Sequence, residues 1–362
     1  MVIKKKKKKK LNSRGVIVLY RLGSVREINT LLNIISKTAA KMPDNRKIVT
    51  LSFTRNKKYF PPFCMLYLGI CVRQLRSKLG IYIVYDNTDV EWLGYAKKFG
   101  FFELQSETPA NNLDFLEREN FMPIQNIAVP DVAIDDNDIH AAEVVRMQSI
   151  SDNLAQRLLQ KSTGNDFDTL SYLCREILRN IIEHSYSNRM YYCAQYYPSN
   201  ELVSVVIADE GEGIRSSLNE NPNLSIETDR EALKQAILPG KSGRSHKYTN
   251  KNSVGHIYAN SGYGLFMTRR ICETAGSFLI LSGEAGISSN MDGVVHYDKM
   301  NFGGTILNLN IHLSKVSSIS ANLEKFRREG LAIQSVAKQL GKVSPSVAST
   351  MIRLPIEQNK KH

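Results

Sequence analysis

The sequence predicts an α/β protein of two domains, and three observations carry that expectation. Residues 15–105 alternate apolar strand-like runs with helical spacing. An amphipathic helix at about 166–186 leads into two strand-like runs, MYYCAQYY (190–197) and LVSVVIAD (202–209). The run TILNLNIHL (305–313) places Leu307, Leu309, Ile311 and Leu313 on one face and Asn308, Asn310 and His312 on the other, the period-2 pattern of a half-buried strand.

In chain order, the first domain opens with VIVLY (16–20) as a buried strand. A helix over 24–41 follows, with Val25, Ile28, Leu31, Leu32, Ile35 and Ala39 on one face. Next come a strand IVTLSF (48–53), a helix from about 62 to 78, a strand IYIVYD (81–86) and a short helix ending at Gly100. Strand–helix repetition of this kind builds an open α/β layer. Residues 106–139, acidic around DVAIDDND, lose periodicity and are expected to be a linker. The second domain spans 140–313, and 314–362 is expected to be a basic helical tail. Within the second domain, 214–261 is long, polar and glycine-containing, with one helix near EALKQAIL, as suits a functional lid.

At 42% hydrophobic and 23% charged residues, disorder is not expected in bulk. The net charge of +13, less the seven lysines of Lys4–Lys10, leaves +6 for the rest of the chain. A seven-lysine block repels itself, so 1–14 is expected to be a disordered basic arm. Such an arm either solubilises the chain or attracts polyanions, nucleic acid among them. The five cysteines are scattered and lack metal-ligand spacing, which suits free thiols in the cytoplasm. The longest apolar run, FPPFCMLYLGICV (60–72), is too short to span a membrane.

The helix at 166–186 contains the stretch REILRNIIEHSYSN (175–188). On a helical wheel, Asn180 falls at about 40° and Glu183 at about 340° from Glu176, with His184 near 80°. Leu170, Leu173, Cys174, Ile177, Leu178, Ile181 and Ile182 fill the apolar arc. Arg175 and Arg179 occupy the remaining flank, expected to face water. An ordinary half-buried helix shows the same spacing, so the motifs that follow must decide.

Three glycine-marked motifs follow in order. DEGEG (209–213) ends a strand, where Asp209 can accept a hydrogen bond and Gly211 and Gly213 let a flat ring approach the backbone. In SGYGLFMTRR (261–270), a Gly-x-Gly runs into a helix whose bare N–H groups suit phosphate oxygens. In GGT (303–305), two glycines admit a neighbour and Thr305 offers a hydroxyl. GKS at 240–242 is not a P-loop, because the glycine required five residues earlier is Gln235. Lys241 and Ser242 are assigned instead to the lid.

This ordered set over about 140–313 resembles the GHKL ATPase family of gyrase, the Hsp90 chaperones, histidine kinases and MutL-type proteins. The resemblance implies an α/β sandwich, a mixed sheet covered by helices, that binds ATP and Mg2+. It implies that Glu176 is catalytic and that Asn180 holds the magnesium. It further implies that Asp209 takes the adenine amine, that Gly211, Gly213 and Ile214 line the base, and that Thr305 supports it. Gly262, Tyr263, Gly264 and Leu265 would meet the phosphates. A histidine kinase is disfavoured, because His140, the one histidine upstream, lies only 36 residues before Glu176 and lacks the expected context.

Residues 15–105 resemble a STAS domain through IVTLSF, the loop before helix 62–78 and YDNTDVEWLGYAKKFGFF. The loop KKYFPPFC carries no serine or threonine where signalling members present their phosphoacceptor. The resemblances together imply an ATP-controlled switch or ATPase that couples nucleotide state to the STAS-like domain, a protein partner or a second subunit. Alternatives are a Ser/Thr protein kinase of the anti-sigma type and a nucleic-acid-binding regulator with ATP as ligand. LAIQSVAKQLGKVSPSVASTMIRL (331–354) is similar to a helix-turn-helix with one extra residue; two amphipathic helices are the other reading.

Overall fold

The computed structural model describes residues 15–43, 47–56, 59–105, 120–129, 137–243, 262–316 and 319–336. The basic arm, residues 106–119 and 130–136 of the expected linker, residues 244–261 of the expected lid and most of the helix-turn-helix stretch lie outside these residues. The chain divides into two compact units, Met1–Pro109 and Ala110–His362.

The first unit holds β1 (Val16–Leu19), α1 (Val25–Ala39), β2 (Ile48–Phe53), α2 (Pro62–Leu79), β3 (Tyr82–Asp86) and α3 (Gly94–Lys98). The three strands are parallel in the order β1-β2-β3. Ser24 caps α1 by accepting a hydrogen bond from the Glu27 amide, which satisfies one of the orphan donors of the first turn. Pro62 starts α2 at a position needing no amide hydrogen, and Gly80 ends it in the left-handed region at φ 62. Leu51, Phe53 and Ile83 are buried, whereas Val16, Val18, Ile48, Tyr82 and Val84 are exposed.

The second unit is built on a five-stranded sheet in the order β4-β5-β6-β8-β7. These strands are β4 (Phe121–Ala128), β5 (Arg189–Tyr197), β6 (Leu202–Asp209), β7 (Gly276–Asn290) and β8 (Gly293–His312). Its helices are α4 (Asn137–Leu159), α5 (Asn165–His184), α6 (Gly213–Asn219), α7 (Asp229–Ala236), α8 (Gly264–Ala275) and α9 (Ile319–Val336). One core joins Met147, Leu154 and Leu158 of α4, Leu173, Ile177 and Ile181 of α5 and Phe266 and Ile271 of α8 to the sheet. The sheet contributes Val203, Val205, Ile207, Phe278, Ile280, Leu307, Leu309 and Ile311. Each such fully buried side chain is worth about 1.5–3 kcal/mol over leaving it in water.

Three expectations are corrected. The sheet is not mixed, since each of its four strand pairings is antiparallel. The expected linker 106–139 contains β4 and the start of α4. Pro123 interrupts β4, and the register shifts between Met122 and Gln125, because proline has no N–H to give the ladder and is tolerated at a sheet edge. The expected single lid helix is two, α6 and α7, with α7 capped by Thr228 accepting from the Glu231 amide. All five cysteines are free and buried. No helix of the described residues is long and apolar enough to cross a membrane.

Candidate functional site

Helix α5 packs its apolar arc on the sheet, and its polar stripe meets the N-terminal end of α8. Arg175 and Arg179 do not face water, as the wheel suggested. Arg175 is 0% exposed and Arg179 2%. Arg175 Nη2 lies 3.2 Å from Glu176 Oε1, and Arg179 Nη2 lies 3.0 Å from Glu176 Oε2. Arg179 Nε reaches Glu183 Oε1 at 3.3 Å. Burial alone would lower the Arg179 pKa, but the Glu176 and Glu183 carboxylates outweigh it and hold the guanidinium above its ordinary value. Arg175 also donates to Gln148 Oε1 of α4 at 3.1 Å and lies over the Tyr172 ring. The stripe is therefore a dehydrated ion network that fastens α4 to α5.

Beside this network opens a cleft whose empty space, open solvent at its mouth included, is about 740 Å³. Of the residues singled out in the sequence, Asn180, Asp209, Gly213, Ile214, Gly262, Gly264, Leu265 and Thr305 line it, as do Lys241 and Ser242. Glu176, Gly211 and Tyr263 are not among its lining residues. The four motif segments thus converge on one hollow, with Lys241 and Ser242 beside them. His184 of the polar stripe lines it too, and residues not anticipated are Leu218 and Ile280, which with Ile177, Ile181 and Leu307 supply apolar wall, and Ser185 and Ser217.

Asp209 ends β6 opposite Thr305 of β8. Its Oδ1 accepts from the Gly211 amide at 2.8 Å. Burial pushes the carboxyl up to about 7, against the opposing pull of hydrogen bonds from the Gly211 and Thr305 amides. Ser282 of β7 braces the same end: its hydroxyl donates to Gly304 O at 2.9 Å and accepts from the Ile214 amide at 3.0 Å. Gly213 needs its freedom, with φ at +80 and Ser282 Oγ 2.9 Å from where a Cβ would stand. Gly211 serves the fold rather than the cleft. A Cβ there would overlap the Ser185 carbonyl oxygen, which accepts from the Glu212 amide.

At the other end, Gly264 begins α8, and its virtual Cβ lies 2.8 Å from Glu176 Oε2 and 3.8 Å from Asn180 Nδ2. A side chain here would collide with the ion network, so glycine lets the bare helix end come down beside Asn180. Gly262 has φ +68, and the Lys241 backbone passes 2.7 Å from its virtual Cβ. Gly240 N donates to Gly262 O at 3.1 Å. Burial lowers the Lys241 pKa, which marks an ammonium partly stripped of water at the cleft wall.

The cleft is thus polar at both ends and apolar between. One end offers a buried carboxyl and a hydroxyl; the other offers backbone amides, an amide side chain and a lysine. Among the described residues, no group of three or more His, Cys, Asp and Glu could hold a metal ion. A cation here would rest on the Asn180 carbonyl and on oxygens of a ligand and water, an arrangement that suits magnesium. No protein-family model matches the chain, and no curated protein matches its sequence.

Proposed function

We propose that the second unit is a Mg2+-dependent ATP-binding module of the GHKL type, working as a nucleotide-controlled switch with slow hydrolysis. The observation that supports this reading is the convergence of Asn180, Asp209, Gly262, Gly264 and Thr305 on one cleft from distant parts of the chain. The residues match the ligand in kind. Asp209 accepts from an exocyclic amine, the apolar wall takes the ring, and the α8 amides with Lys241 take phosphate. Asn180 is the protein ligand to the magnesium that phosphate brings with it, and that ion supplies charge neutralisation at the triphosphate.

Turnover is slow on this reading because Glu176 must leave its guanidinium partners before it can meet the attacking water. A general base must come within hydrogen-bond reach of the proton that it takes, directly or through one water. Both Glu176 oxygens are held by guanidinium groups, and the residue is 0% exposed. Binding is therefore the primary event and hydrolysis the secondary one. The first unit, read as STAS-like, is proposed as the element that responds.

Isothermal titration with ATP and Mg2+, followed by phosphate release on the same sample, tests the proposal. Expected are saturable binding, its loss in Asp209→Ala, and turnover well below the 1–1000 s⁻¹ or so typical of enzymes. Absence of heat with ATP, ADP and the Mg2+ complexes of both would overturn it.

A further inference from the structure

Tyr263 stands between the two glycines of the turn that enters α8, and it is 0% exposed without lining the cleft. Its ring points away from the cleft into the seat of α9. Gly330, in the interior of α9, comes so close that a Cβ there would lie 2.7 Å from Tyr263 Cε1. The same point is 3.1 Å from Phe266 Cε1 and 3.1 Å from Pro239 Cβ. Gly330 therefore touches both chain segments that form the far end of the cleft. Pro239 precedes Gly240, whose amide is bonded to Gly262 O, and Lys241 and Ser242 beyond it line the cleft.

Two features bear on how closely α9 is seated here. A glycine inside a helix is disfavoured relative to alanine, so its presence in α9 answers to the Tyr263 ring against it. The Tyr263 hydroxyl is buried with no hydrogen-bond partner among the described residues, an arrangement that costs free energy. The helix is otherwise anchored on α8 through Phe326, 0% exposed beneath Arg270, and through the Arg270–Glu329 ion pair at 3.0 Å.

We propose that Tyr263 and Gly330 are positioning residues that couple the seating of α9 to occupancy of the phosphate end of the cleft. This inference rests on the nucleotide reading above. A ligand that orders 239–242 and 262–264 from the cleft side firms the surface on which α9 sits. By thermodynamic reciprocity, loosening α9 weakens the ligand by the same factor. The function so assigned to α9 is output, carrying nucleotide state towards the C-terminal residues that follow it.

Hydrogen exchange on the full chain, with and without the imido analogue of ATP and Mg2+, tests the coupling alongside calorimetry. Expected is at least threefold slower exchange of 319–336 on binding, and a roughly tenfold weaker Kd in Gly330→Ala. If the analogue binds while α9 exchange is unchanged and Gly330→Ala stays within twofold of wild type, the coupling is overturned and the nucleotide reading stands. If no analogue binds, both fall. Should Gly330→Ala fail to fold, exchange of the wild-type chain alone decides.

Discussion

Arg179 Nη2 stands 3.0 Å from Glu176 Oε2 with both side chains almost wholly removed from solvent. Removing one partner of such a pair strands the other as an uncompensated buried charge, at a cost of about 3–5 kcal/mol. Arg179→Met takes the guanidinium from Glu183 and one of two from Glu176, which keeps Arg175, and is expected to lose a comparable amount in urea unfolding. A loss below about 1 kcal/mol would show that the network is hydrated in solution.

Glu176→Gln keeps the shape and removes one charge from the network. Because Glu176 lies outside the cleft lining, nucleotide affinity is expected to stay within about threefold of wild type, a change under roughly 1 kcal/mol. Phosphate release is expected to stop. Calorimetry and a turnover assay on one sample read the two effects separately.

Asp209 supplies the test in pH. Its ordinary carboxyl value of 3.8 is raised to about 7. Below 3.8 both folded and unfolded chains carry the proton, and the group contributes no slope. Between 3.8 and about 7 the folded chain keeps a proton that the unfolded chain has lost, so stability falls as pH rises through that window and levels off above it. The full difference is on the order of 4 kcal/mol. Asp209→Asn, neutral throughout, is expected to lack that decline, as urea unfolding at pH 4, 5.5 and 7.5 would show. Asp209→Ala is expected to weaken nucleotide binding by at least about 100-fold, roughly 2.7 kcal/mol.

Tyr263→Phe removes a buried hydroxyl that has no hydrogen-bond partner among the described residues and keeps the ring against Gly330. Stability is expected to rise by about 1 kcal/mol, visible as a melting temperature about 2–4 °C higher. A lower melting temperature would reveal a partner for that hydroxyl.

Gly211→Ala forces a methyl onto the Ser185 carbonyl. Backbone cannot yield as a side chain tip can, so the variant is expected to lose about 2 kcal/mol or more. Thermal unfolding checks this, and nucleotide binding is expected to weaken along with it, because the adjoining Asp209 accepts the Gly211 amide.

The alternation of β8, the helical period of α5 and the glycine spacing of three motifs were legible in the sequence. Together they located the four segments that meet at the cleft. Three things were not legible, each for a physical reason. A wheel drawn by hydropathy sends arginines to water, and only the third dimension reveals that Glu176 and Glu183 bury Arg179 with them. Strand β4 hides because Pro123 breaks its ladder and its burial runs continuously over Met122–Ile124 instead of alternating. Gly211 and Gly213 look equivalent in DEGEG, yet one admits the end of α5 and the other borders the cleft.

The five buried thiols give the molecule an internal record of its own opening. Burial drives the Cys64, Cys193 and Cys272 thiols far above their ordinary value and Cys174 up to about 12, so thiolate is scarce while the chain stays folded. Cys64 and Cys71 belong to the first unit, and Cys174, Cys193 and Cys272 to the second. An alkylating reagent followed by mass spectrometry would therefore clock the two units independently in one tube, two tags timing one unit and three the other.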